Sequence, residues 1–237
     1  EGVKYPRPFD IAADGAALAL LDTARSLGIN LLDTAPAYGA SEERLGMLLG
    51  ARRDEWVLCT KAGEEFENGA SRFDFSPAEI TSSVERSLRR LRTDRVEIVL
   101  LHSDGRDREI IERSGTLDAL ERARDAGKAR AIGVSTKTPE GAALAAERCD
   151  VVMLTLNPGA RDDEPALAVA ARAGAGVLVK KALSSGRLPA GDSADPAEAA
   201  LRFVLSRPAV SSVVVGTINP AHLRANAAAA ERALTCP

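Results

Sequence analysis

The chain has 237 residues, 45% of them hydrophobic and 27% charged, the balance of an ordinary globular domain with room for a large core. No apolar run reaches the roughly 20 residues that span a bilayer, and a net charge of −3 gives no general attraction to a phosphate backbone, so neither a membrane nor a nucleic-acid role is expected.

The opening segment EGVKYPRPFD has neither the basic start nor the apolar core of a signal peptide, and it supplies no strand. An Ala- and Leu-rich helix is predicted from about Asp14 to Leu27. Strand-like runs then recur at Ile29 to Leu32, Val57 to Thr60, Val96 to Leu101, Ala131 to Val134, Val151 to Leu156, Gly176 to Val179 and Ser212 to Val215, with helical patterns between them. Such alternation predicts a parallel sheet with crossover helices. The helix after the second run has a full start signal, with Ser76 to cap, Pro77 at the first turn and Glu79 placed for a capping box. Ile80, Val84, Leu88 and Leu91 form its apolar stripe, and Arg86, Arg89, Arg90, Arg92 and Arg95 read as its solvated face. Asp195 with Pro196, Thr138 with Pro139 and Asn219 with Pro220 repeat the device. The stretch from Gly63 to Phe75, with Phe66, Phe73 and Phe75, and that from Ser103 to Ser114 read as charged loops.

Cys59, Cys149 and Cys236 are odd in number, far apart and without CxxC spacing, which indicates neither a disulfide framework nor a zinc site. A reducing cytoplasm is the expected compartment. His102 and His222 are the only histidines and lack a second ligand at helical spacing, so no metal is expected. Nothing in the sequence sets the oligomeric state.

Four polar residues stand at the ends of the first three runs: Asp33, Tyr38, Lys61 and His102. Strands lying parallel in one barrel would bring them to a single carboxyl-end pocket, where barrel enzymes do their chemistry. An acid, a phenol, an ammonium and an imidazole then share one site. The segments LLDTAPAYGASEERLG, VLCTK, VEIVLLHS, RAIGVST and VVVGTINPAHLRAN resemble aldo-keto reductase signatures in order and spacing, over nearly the whole chain. The resemblance implies a single (β/α)8 TIM barrel spanning residues 1–237. Only seven strand runs are visible, so the first barrel strand is expected to be missing and the chain to begin in the loop after it.

By the same resemblance the chain reduces an aldehyde or ketone with NADPH. Tyr38 would donate the proton, Lys61 would lower the phenol pKa as a neighbouring cation, Asp33 would hold Lys61, and His102 would hydrogen-bond the carbonyl oxygen. The helix start at Asn219 and Pro220 suits a phosphate. The resemblance implies cofactor contacts from Gly216, Thr217, Asn219, His222 and Asn226, from Ser135, Thr136 and Met153, and from Lys180, Lys181 and Leu183. Several depart from the family pattern. His222 stands where an arginine usually grips the 2′-phosphate, so NADH is a second candidate cofactor. Thr136 and Met153 replace an asparagine and a glutamine, and Lys180 stands near an aromatic position. Strand alternation sends Lys180 and Lys181 to opposite faces. Two rival functions remain: a cofactor-binding redox sensor on the same fold, and a lyase using a buried lysine as a Schiff base.

Overall fold

The computed structural model describes residues 11–67, 69–112, 115–187 and 195–235. Residues 1–10 and Cys236 lie outside that set. Helix α1 (Asp14–Ser26) leads into strand β1 (Leu31–Asp33), a 3-10 turn at Pro36–Tyr38 and helix α2 (Ser41–Leu49). Strand β2 (Val57–Ala62) runs directly into a hairpin, β3 (Glu64–Glu67) and β4 (Ala70–Phe73), followed by α3 (Pro77–Leu91) and β5 (Val96–His102). Then come α4 (Asp107–Glu112), α5 (Thr116–Asp125), β6 (Ala129–Ser135), α6 (Pro139–Arg148), β7 (Val151–Thr155), α7 (Ala166–Ala173) and β8 (Gly176–Lys180). Helix α8 (Pro196–Leu205), strand β9 (Ser212–Val213) and helix α9 (Pro220–Thr235) complete the described residues.

Seven strands form one parallel sheet in the order β1-β2-β5-β6-β7-β8-β9. No pairing joins β1 to β9 among the described residues, so the eighth strand of a closed barrel is not seen there. Through their central residues the strands alternate between two apolar environments. Leu58, Val99, Leu101, Val152, Leu154, Val177 and Val179 join the large core beneath the helices. Their neighbours Cys59, Leu100, Val151, Met153 and Leu178 form a second cluster. Because successive side chains of a strand face opposite sides, this second cluster marks the other face of the sheet. Side chains filling the interior are what the barrel architecture demands.

Several local readings need correction, and the stretch from Ser103 holds helix α4 (Asp107–Glu112). The stretch from Gly63 to Phe75 is no simple loop, since Glu64↔Phe73 and Phe66↔Ser71 pair in an antiparallel hairpin that packs against the Pro36–Tyr38 turn. Phe75 is buried in the large core, where a Cβ on Gly63 (φ +99°) would come within 2.6 Å of its ring. It anchors the fold. The capping box at α3 is half made: Ser76 Oγ accepts from Glu79 N at 3.3 Å, but Ser76 N donates to Asp74, and the Glu79 carboxylate accepts from Arg86 at 2.9 Å. Attraction to a guanidinium outweighs a return bond to a neutral amide. The last strand stops at Val213, two residues short of expectation.

The basic cluster on α3 is largely committed to carboxylates. Arg86 Nε donates to Glu65 at 3.0 Å, and Arg90 lies 3.4 Å from Glu42 and 3.5 Å from Glu65. Glu42 is fully buried and accepts from Thr60 Oγ1 at 2.6 Å. Burial raises its pKa, opposed by Thr60, Ser87 and Arg90. A chain of polar contacts therefore runs from the hairpin through α3 and α2 to β2.

Candidate active site

Strand parity determines what meets at the carboxyl ends. Lys61 is two residues on from Cys59, His102 two from Leu100, and Lys180 two from Leu178, all members of the interior cluster. Asp33 is two residues on from Leu31, which packs against that cluster. Each polar side chain therefore shares its strand's interior face, and register brings neighbours level: Asp33 pairs with Cys59, Lys61 with Leu100 and His102 with Ser135.

At the centre is an ion pair. Lys61 Nζ lies 2.7 and 2.8 Å from the two Asp33 carboxylate oxygens and donates to Thr34 O at 2.9 Å. The side chains are 1% and 9% exposed. Burial works against the ammonium, yet Asp33 and Tyr38 more than compensate and raise its pKa, so Lys61 is a fixed cation. The Tyr38 ring centre is 4.8 Å from Lys61 Nζ and meets the His102 ring edge-on with centroids 6.0 Å apart. Tyr38 closes a 3-10 turn begun by Pro36, whose fixed φ suits that position.

The Tyr38 hydroxyl departs from the sequence expectation. Burial raises its pKa above 10.0 and Asp33 adds to this, while Lys61 pulls the other way without prevailing. With 42% of the residue open to solvent the desolvation is partial, but the direction is upward and the phenol holds its proton.

The structure adds Glu64, which sequence reading missed. Its Oε2 lies 2.8 Å from His102 Nδ1, with the two side chains 13% and 11% exposed, and its Oε1 accepts from Ser71 Oγ at 2.6 Å. By hydrogen-bond geometry Nδ1 is left without a partner, so the contact is a close approach of the two groups. Burial disfavours the Glu64 carboxylate, but His102, Ser71 and Lys137 overcome it and bring its pKa down to about 2. His102 also shifts downward, through burial and the cations Lys61 and Lys180, against the pull of Glu64. These directions agree if a neutral imidazole faces an ionised carboxylate. Within a charged, unpatterned EEFE run, nothing marked Glu64 as a partner of a residue 38 positions later.

A second cluster adjoins the first. Lys180 Nζ donates to Ser135 Oγ at 2.9 Å and to Thr136 O at 2.6 Å. Burial, with Lys181 and Lys61, lowers its pKa to about 8. Lys181 is exposed, as alternation requires. Thr136 N donates to Met153 O at 3.0 Å, and the Met153 side chain is packed in the interior cluster, where it offers an apolar surface only. After β8 the backbone enters the left-handed region at Lys181, Ser184 and Ser185, with φ of 57°, 49° and 55°. Three side-chain-bearing residues there store strain of a kind that gathers at ligand sites. Leu183 lies within this turn, its carbonyl accepting from Gly186 N.

The third group is separate. Thr217 Oγ1 accepts from Asn219 N at 3.1 Å, and Asn219 Oδ1 accepts from Ala221 N at 2.8 Å, capping α9. Gly216, Asn219 and His222 are exposed and Asn226 is partly so; none of them makes a described side-chain bond to the four central residues. Among the described residues, no three His, Cys, Asp or Glu side chains gather as a metal would require, and no helix is long and apolar enough to cross a membrane.

Comparison with known proteins agrees with this geometry. The Aldo/keto reductase family model matches residues 12–196 and 188–236. An uncharacterised oxidoreductase of Bacillus subtilis, YqkF, is 30% identical over 253 residues, covering 90% of this chain and 82% of that protein. D-threo-aldose 1-dehydrogenase of a Pseudomonas species is 30% identical over 281 residues, covering 92% and 84%. Among solved structures, PA4992 of Pseudomonas aeruginosa superposes with a TM-score of 0.89 at 49% identity, covering 94% of this chain and 86% of the other. Aldo-keto reductase AKR11C1 of Bacillus halodurans, in its holo form, does so with 0.80 at 27%, covering 92% and 83%. With the family model matched along nearly all its described length and the same architecture in its solved neighbours, this chain belongs to the aldo/keto reductase family.

Proposed function

We propose that this chain reduces an aldehyde or ketone to an alcohol with NADPH, and that Tyr38 is the proton donor. The observation that carries the reading is the convergence of Tyr38, a doubly bonded Lys61–Asp33 pair and His102 on one face of one sheet end. The residues present fit a dinucleotide. The capped start of α9 is a ready anion site, the strained turn after β8 is a place for backbone to meet phosphate, and Ser135, Thr136, Met153 and Lys180 surround the interior end. Gly216, Thr217, Asn219, His222 and Asn226 would hold the adenosine side, and Lys181 and Leu183 the pyrophosphate. Bound NADPH supplies the hydride.

The chain's own part is proton management. A carbonyl oxygen that gains negative charge needs a proton at that moment, and general acid catalysis of this kind contributes roughly 100-fold to 10,000-fold. A phenol kept protonated by burial loses nothing to solvent beforehand, yet gives its proton readily to an alkoxide, a much stronger base. Lys61 stabilises the phenolate left behind, and Asp33 keeps Lys61 charged and aimed. His102 borders the space above them and contacts the substrate.

The test is NADPH and NADH oxidation across aldehydes, ketones and quinones, in the original chain and in Tyr38→Phe. Turnover in the original, a loss of at least about 100-fold in the variant and cofactor dissociation constants within a few-fold support the reading. Undiminished turnover in Tyr38→Phe refutes the donor assignment. Tight cofactor binding without turnover on any carbonyl favours the redox-sensing reading instead.

A further inference from the structure

We propose that Lys180 sets this chain's preference between the two oxidation states of its cofactor: the ammonium stands beside the nicotinamide ring, repelling the positively charged oxidised ring and sparing the neutral reduced one. The inference rests on the reading of this pocket as a dinucleotide-dependent carbonyl site. Topology carries it. Strand β8 lies between β7 and β9 in the sheet, and α9 follows β9. A dinucleotide with its phosphates on the start of α9 and on the strained turn at Lys181, Ser184 and Ser185 therefore reaches the centre past the end of β8. Lys180 is the last residue of β8, and its Nζ reaches over β7 to Ser135 Oγ on β6 at 2.9 Å, where Ser135 is level with His102. The far side of the pocket is filled by Tyr38 and the Lys61–Asp33 pair, with the Lys61 side chain 1% exposed. A ring that hands hydride to a carbonyl held at Tyr38 and His102 lies within about 3.5 Å of its carbon. The side left for it is the one walled by Ser135 and Lys180.

The charge on Lys180 is not cancelled where it sits. Both described bonds of Nζ go to neutral oxygens, Ser135 Oγ at 2.9 Å and Thr136 O at 2.6 Å. The charged and titratable groups facing it are Lys61 on β2, His102 on β5, Asp107 on α4, Asp163 between β7 and α7, and Lys181 next along the chain. The two carboxylates serve other donors: Asp107 accepts from Lys137 N, Thr138 N and Thr138 Oγ1, and Asp163 accepts from Thr155 N. Lys61, by contrast, is neutralised by Asp33 at 2.7 and 2.8 Å. Of the two lysines that enter the pocket from the sheet, Lys180 is the one whose field reaches a ligand uncompensated. A unit charge about 6 Å from the ring, in a setting between protein surface and water, separates a charged from a neutral ring by about tenfold in binding. The chain thus holds the hydride donor and sheds the spent form.

Calorimetric titration of the full chain with NADPH and with NADP+, without any carbonyl substrate, tests this. Expected is that the ratio of dissociation constants, NADP+ over NADPH, drops by about tenfold at pH 7 in Lys180→Met, through tighter NADP+ binding. Lys180→Gln, which keeps a donor for Thr136 O, does the same and serves if the first variant does not fold. Lys180→Arg keeps the charge and with it the ratio. NADH and NAD+ give the same comparison. A ratio unchanged in the two uncharged variants overturns the proposal. Equal weakening of both cofactors also overturns it, because that result places Lys180 on a phosphate, which the two forms share.

A pH series separates charge from packing. Burial, Lys181 and Lys61 bring the Lys180 pKa down to about 8, so the ammonium is lost between pH 7 and 9. The ratio in the original chain should fall by about fivefold over that range and stay nearly flat in Lys180→Met and Lys180→Arg. The 2′-phosphate and its partners are common to both cofactor forms and cancel from the ratio. A pH dependence shared by all three proteins overturns the role of Lys180. If neither cofactor binds, the dinucleotide reading fails and this inference fails with it. If both bind and the ratio ignores residue 180, this inference alone fails.

Discussion

Replacing Lys180 with methionine should change how stability depends on pH. The ammonium is largely removed from water and faces the cations Lys181 and Lys61, which together bring its pKa from 10.5 to about 8. A folded-state pKa below the unfolded value means that folding is penalised wherever the unfolded chain holds the extra proton. At about 1.4 kcal/mol for each tenfold change in proton affinity, and allowing for the part of the side chain still in water, the penalty is about 2–3 kcal/mol. Below pH 8 both states are protonated and the penalty is complete. It is relieved as pH rises from about 8 to 10.5 and absent beyond. Methionine is of similar length and carries no charge, so Lys180→Met escapes the penalty but loses the bonds to Ser135 and Thr136. That loss is the same at every pH. The difference in unfolding free energy between the original chain and the variant, from urea titrations at pH 7.5 and 10.5, should therefore move by about 2–3 kcal/mol in favour of the original at the higher pH. Other alkaline titrations occur in both proteins and cancel. Parallel pH curves for the two would show that Lys180 pays no burial penalty and would remove the electrostatic account of this cluster.

Asp33→Asn should destabilise the fold by about 3–5 kcal/mol in urea unfolding, because it strands the buried Lys61 ammonium without its counter-ion; a loss below 1 kcal/mol would mean that Lys61 reaches water. His222→Arg should raise the preference for NADPH over NADH in dissociation constants, since a guanidinium is always charged and grips phosphate bidentately; an unchanged ratio would place the 2′-phosphate elsewhere, with Arg224 the first residue to try. Gly46→Ala should lower stability by about 1–3 kcal/mol despite alanine's better helix propensity, because its Cβ would come 2.2 Å from Arg90 O where α2 crosses α3; a thermal melt unchanged from the original would show that the helices separate freely.

The strands were legible because their interiors are continuous apolar runs, and Asp33, Lys61 and His102 because each ends one of those runs. The helix caps at Ser76, Thr138 and Asp195 were legible because capping needs only a side-chain oxygen at a fixed offset. The β3–β4 hairpin was not, since EEFE and ASRF each carry a single large apolar residue and show no period-two apolar pattern. Glu64 stayed hidden for the same reason, its importance lying in a contact with a distant strand. The protonation of Tyr38 could not be read either. A neighbouring lysine argues for a lowered pKa and burial for a raised one, and which prevails is set by packing that residue spacing does not encode.

The line of contacts from Arg86 through Glu65 and Arg90 to the buried Glu42 and on to Thr60 has a consequence for how tolerance to change is distributed. Thr60 precedes Lys61, Glu65 follows Glu64, and Glu42 lies four residues beyond Tyr38, so three segments of the candidate site hang from one ionic truss whose guanidinium members stand outside it. In a saturation survey scored on turnover, Arg86 and Arg90 would register as intolerant positions although neither reaches a substrate atom. The same survey scored on abundance would find them milder, and the gap between the two maps would trace the truss across the molecule.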